Sequence, residues 1–149
     1  VADAGVFAGA CRLSLWLDGE WTFCRRCKPV TVITEDDVRR IALSLPGAYE
    51  RESYGGRPSW RTQPRMFTWI RDEPDALVVW VESLEDKEAL IASDPGKFFT
   101  TPHYDGHAIT LVRLEAVDID EARELITDSW LLRAPRSLTG SRGADRDRR

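Results

Sequence analysis

Cysteine is scarce in this chain. There are three in 149 residues, and Cys11, Cys24 and Cys27 all fall near the start. An odd count confined to one end does not make a disulfide-stapled secreted scaffold; it fits a reducing, cytoplasmic setting. Cys24 and Cys27 form the single Cys-x-x-Cys pair, and the two histidines lie about 80 residues further on, so a four-ligand zinc site lacks its second half. No metal and no cofactor is expected. Long apolar runs are missing too. No stretch approaches the roughly 18 residues of a membrane-spanning helix, so no membrane association is expected. The apolar stretches of residues 1–23 are cut by Arg12, Asp18 and Glu20, which makes a poor secretory signal.

What remains is ordinary globular composition, 42% hydrophobic and 31% charged, enough for one compact core. The formal net charge is −4, unevenly spread. Residues 1–29 hold four basic against three acidic side chains, and residues 136–149 hold five Arg against two Asp. The body between them is strongly acidic, which weakens long-range attraction for a polyanion. Within that body five arginines (51, 57, 61, 65 and 71) nevertheless fall between Tyr49 and Arg71, with only Glu50 and Glu52 against them.

Residues 1–29 show no sustained period and are expected to be an N-terminal extension, either non-native or disordered. Residues 30–135 read as one domain, and residues 136–149 as a disordered basic tail. Thr34 followed by Asp37 signals a helix start, and Val38, Ile41, Ala42 and Leu45 fall at i, i+3, i+4, i+7, one apolar stripe closed by Pro46-Gly47. Short β-type segments follow at about 49–54, 58–63, 66–71 and 76–82, punctuated by Gly-Gly, Gln-Pro-Arg and Asp-Glu-Pro-Asp, the spacing of an antiparallel meander. Ser83 with Asp86 opens a second helix, a strand follows at about 108–114, and Asp118 with Glu121 opens a third helix closed by Pro135. The order α-β-β-β-β-α-β-α predicts an α+β domain with helices packed on an antiparallel sheet.

Four stretches resemble the MmcQ/YjbR family: Thr34-Glu-Asp-Asp-Val-Arg-Arg, Leu45-Pro-Gly-Ala, Tyr54-Gly-Gly-Arg-Pro-Ser-Trp-Arg and, most specific, Lys97-Phe-Phe-Thr-Thr-Pro-His-Tyr-Asp-Gly. The similarity spans about residues 33–135. It implies a frataxin-related, CyaY-like fold, also described as a double wing, and a DNA-binding role. Arg65 and Trp60 stand where the family often has Lys and Phe. The frataxin likeness also raises iron binding at Glu35, Asp36 and Asp37, but three adjacent side chains point around a helix in different directions, and their place suits capping and the helix dipole.

Arginine offers a planar fork that matches phosphate oxygens, so Arg57, Arg61, Arg65 and Arg71 are the candidate nucleic-acid contacts on a β-wing. The competing reading is a solvated face neutralised by Glu50, Glu52 and Glu82. Tyr49, Tyr54, Trp60, Phe67, Trp69 and Trp80 gather in the same sheet, either as core or as a stacking surface. Strict alternation predicts Phe67 and Trp69 on one face and Met66, Thr68 and Ile70 on the other. The loop around His103, Tyr104, Asp105 and His107 is the alternative site: with Trp60 and Trp69 it would hold a small aromatic molecule. It lacks a nucleophile or a second carboxylate cluster, so a non-enzymatic protein is expected. A protein-interaction module is the third reading, and oligomeric state is not legible.

Overall fold

The computed structural model describes residues 32–72 and 75–140. The expected extension 1–29 lies outside them. Helix α1 (Glu35–Leu43) starts in a reciprocal cap: the Asp37 N–H donates to Thr34 Oγ1 at 3.3 Å, and the Thr34 N–H donates to Asp37 Oδ2 at 2.9 Å. Gly47 turns the chain at φ +68°, and a Leu138 methyl occupies the space its Cβ would need, so both conformation and packing demand glycine there. Strands β1 (Tyr49–Glu52), β2 (Pro58–Thr62), β3 (Arg65–Arg71) and β4 (Ala76–Trp80) form the meander, each antiparallel to the last. Helix α2 (Leu84–Ser93) follows, capped by Ser83, which accepts the Asp86 N–H at 3.1 Å.

The segment 97–107 is not a plain loop. Phe98–Phe99 form a short strand, β5, on the outer edge of β6 (Ile109–Arg113), and Pro102–Tyr104 make one 3₁₀ turn. The sheet runs β1-β2-β3-β4-β6-β5, antiparallel throughout. Helix α3 (Ile119–Arg133), capped by Asp118, lies across β3 and β4 and against α1. Arg136–Thr139, expected to open a disordered tail, instead form a helical turn, α4, because Leu138 is apolar enough to pack back on the core beside Gly47; the rest of the expected tail lies outside the described residues. The α+β architecture is as expected, with one extra edge strand. No described helix is long and apolar enough to cross a membrane.

Two apolar clusters sit on opposite faces of the sheet. On the helix side Trp60, Phe67, Ile70, Leu77, Val79 and Val112 meet Val38, Ile41, Ile126 and Trp130. On the other side Ala76, Val78, Ile109 and Leu111 lie under Tyr104, with Trp69, Trp80 and Phe99 packed around them. Strict alternation fails in β3. Trp60 stands opposite Thr68, yet Arg61 stands opposite Met66, so Phe67 is skipped in a β-bulge. Phe67 therefore joins Ile70 on the helix side, while Trp69 faces away. Ser129 of α3 supports the irregularity: its hydroxyl donates to the Phe67 carbonyl and accepts the Trp80 N–H at 2.8 Å.

Candidate nucleic-acid interface

Strand register sorts the arginines. Residues directly opposite each other share a face. One row across the sheet, on the side away from the helices, reads Arg51, Ser59, Trp69, Val78, Leu111, Phe99. A neighbouring row reads Arg71, Ala76, Arg113, and on the other flank Tyr49, Arg61 and Met66 align. Four arginines thus occupy strand positions around the rim of this helix-free face, whose centre Tyr104 covers, and among the described residues no Asp or Glu does. The alternation of β1 explains the segregation: Tyr49 and Arg51 point one way, Glu50 and Glu52 the other. Glu50 is spent on the helix side, where its Oε2 lies 2.7 Å from Arg39 Nε and accepts the Trp60 indole N–H at 3.1 Å.

Of the four arginines expected to form the interface, Arg61 and Arg71 fall on this face and two do not. Arg57 is enclosed by three carboxylates. Its Nη2 donates to Asp75 Oδ1 at 3.0 Å, its Nη1 lies 3.5 Å from Glu35 Oε2, and its Nε lies 2.9 Å from Asp72 Oδ1. That neutralises it and locks the turns together instead of offering it to a phosphate. Arg65 stands opposite Thr62, and the bulge at Phe67 carries it to the helix side, beside Arg133. Burial first, and the Arg65 charge second, lower the Arg133 pKa from its ordinary value.

The side chains on the helix-free face are held in place. Arg61 Nε donates to Ser59 Oγ at 3.3 Å, and Ser59 Oγ donates to the Arg51 carbonyl at 2.7 Å. Arg71 reaches Thr101 Oγ1 at 3.5 Å and lies 5.7 Å from the Tyr104 ring centroid. Arg113 stacks 4.3 Å from the Phe99 centroid. Arg51 belongs to the five-arginine cluster of the sequence but not to the four expected contacts, and Arg113 lies outside that cluster. The period-2 alternation of Tyr49-Glu50-Arg51-Glu52 carried the signal for Arg51; Arg113 becomes visible only once β6 is known to pair with β4.

The residues of the alternative site divide as well. Trp69, His103 and Tyr104 come together around a cleft of about 590 Å³ that Arg71 and Asp72 also line. The Tyr104 ring sits 6.2 Å from Trp69 and 4.8 Å, edge-on, from His103. Trp60 is not part of it: it is fully buried on the opposite side of the sheet. Asp105 is exposed in the turn before Gly106 and does not line the cleft. The loop is pinned from α2 by buried Lys87, whose Nζ donates to the Tyr104 carbonyl at 2.7 Å and the His107 carbonyl at 3.1 Å. Among the described residues, no three His, Cys, Asp or Glu side chains converge to hold a metal ion.

The chain matches the YjbR family over residues 43–132. It is 35% identical over 122 residues to the uncharacterized proteins Rv2570 of Mycobacterium tuberculosis and Mb2600 of Mycobacterium bovis, covering 70% of this chain and 92% of each relative. In fold it is similar to the crystal structure of Deinococcus radiodurans protein DR2400, a DUF419-domain protein, with a TM-score of 0.59 at 23% identity, covering 78% of this chain and 87% of that one. The motifs from Leu45 to the His103 loop, the helix-backed antiparallel sheet and these matches agree: this chain belongs to the YjbR family.

Proposed function

We propose that this domain is a non-enzymatic protein that binds nucleic acid weakly, holding a phosphate backbone along the arginine-bearing rim of the helix-free face of its sheet. One observation carries the reading: arginines 51, 61, 71 and 113 occupy strand positions on that face and no carboxylate does, in a chain with more acidic than basic residues. Guanidinium forks suit phosphate oxygens, and the half-buried Trp69 between them gives an unpaired base a surface to stack on. The −4 net charge keeps affinity low. Four phosphate contacts predict about fifty- to 150-fold weaker binding between about 50 and 200 mM salt.

The test titrates labelled single-stranded and duplex DNA into the full chain and into the R51Q/R61Q double variant at those two salts. Binding that weakens with salt and drops in the variant supports the reading. Absence of binding at low salt, or equal binding by the variant, removes it. A second reading rests on the cleft beside Trp69, His103 and Tyr104: a small aromatic molecule seated there would raise the melting temperature without any need for Arg51 or Arg61.

A further inference from the structure

We propose a second, separate site: the cleft between the C-terminal end of α3 and the β2–β3 hairpin takes a phosphate group, held by Arg65, Arg133 and Arg136. The cleft has a volume of about 540 Å³ and an apolar wall that includes Leu131 and Leu132; all three arginines line it and no carboxylate does. On the helix side and at the turns, Arg39, Arg40, Arg57 and Arg123 each contact at least one carboxylate. Among the described residues, Arg65, Arg133 and Arg136 contact none.

The central cation is built in place. Arg133 lies 4.0 Å over the Trp80 ring, and its Nε donates to the Met66 carbonyl at 3.3 Å. Stacking engages the face of a guanidinium and leaves its in-plane N–H donors available. With Nε committed to Met66, the Nη donors have no oxygen partner among the described residues. Arg65 and Arg136 are exposed and complete the rim. The Arg65 charge already works against the Arg133 charge, so an entering dianion converts repulsion between two cations into charge-assisted hydrogen bonds to both. The ligand class is a phosphate oxyanion: inorganic phosphate or a phosphate monoester, which reach the dianion, or the singly charged phosphodiester of a nucleic-acid strand. The site does not depend on the helix-free face of the sheet.

The experiment follows the Arg133 Nε–H and Trp80 indole N–H signals by NMR of the labelled full chain. Inorganic phosphate is titrated against chloride at fixed ionic strength and pH. Saturable shifts with phosphate alone are expected, with affinity about tenfold or more weaker in R65Q/R136Q and unchanged in R51Q/R61Q. Arg65 and Arg136 are chosen because both are exposed, so the variant folds; replacing Arg133 would disturb Trp80. No shift, equal shifts with chloride, or shifts that persist in R65Q/R136Q overturn the proposal. A second arm uses a six-nucleotide strand. Tighter binding than inorganic phosphate, weakened by R65Q/R136Q, identifies a strand phosphate as the source, and no gain over inorganic phosphate identifies a small phosphate compound.

Discussion

Arg39 Nε lies 2.7 Å from Glu50 Oε2, and through that contact α1 grips the outermost strand of the sheet. The same carboxylate oxygen accepts the Trp60 indole N–H, so Glu50 joins helix, edge strand and core tryptophan. Glu50→Ala removes both bonds and leaves the indole donor unpaired, at a cost of about 1–2 kcal/mol in urea unfolding. Glu50→Gln keeps an acceptor and costs less.

Ser129 predicts a larger effect from a smaller change. Its hydroxyl serves two backbone groups at the Phe67 bulge, the Phe67 carbonyl and the Trp80 N–H, and Ser129 itself is fully buried. Ser129→Ala leaves both unpaired, with an expected loss of about 2 kcal/mol or more. Hydrogen exchange at the Trp80 amide reports the same change locally: it should quicken beyond the global change.

Acid lability follows from the cap of α1. The Thr34 backbone N–H, then the Thr34 hydroxyl, hold the Asp37 pKa below its ordinary value of 3.8. A depressed carboxyl pKa contributes stability that is present above the unfolded value and lost as pH falls through the folded one. Unfolding at a series of pH values should therefore show stability falling below about pH 4, with a shallower fall in Asp37→Asn. Thr34→Ala, which removes the capping oxygen, should cost about 1 kcal/mol at neutral pH.

Arg57 separates structure from binding. Its three carboxylate contacts lie at the turns, so Arg57→Gln should lower stability by about 1 kcal/mol, by leaving Glu35, Asp72 and Asp75 to repel one another. Nucleic-acid affinity should remain within about twofold of the parent, whereas R51Q/R61Q should reduce the salt slope by about two. Loss of binding in Arg57→Gln at unchanged stability would return Arg57 to the interface.

Most of the fold was legible because local signals agreed. The Thr34–Asp37 capping box, the Val38–Ile41–Ala42 stripe, the Pro46-Gly47 stop and the turn residues between strands all act within a few positions. The bulge at Phe67 was not, since its support comes from Ser129, 62 residues away. That one irregularity moved Arg65 to the other side of the sheet and separated Phe67 from Trp69. Trp60 stayed open between core and stacking surface for a similar reason: whether a strand aromatic faces helices or solvent is decided by what packs on it, and here it is core. Arg57 looked available because its partners Asp72 and Asp75 lie across a turn that only the folded chain closes. Of the alternative site, Trp69, His103 and Tyr104 line one cleft, whereas Asp105 is exposed and is not part of its lining.

The two outermost described strands both resist extension. One margin of the sheet is β1, four residues alternating in sign from Glu50 to Glu52, and the other is β5, only Phe98 and Phe99, followed by Pro102. Charge on one side and brevity on the other discourage a foreign strand from adding to either border. Self-association into fibrous arrays is thereby disfavoured, and whatever this molecule recognises must meet its broad surfaces and clefts and not lengthen its ladder.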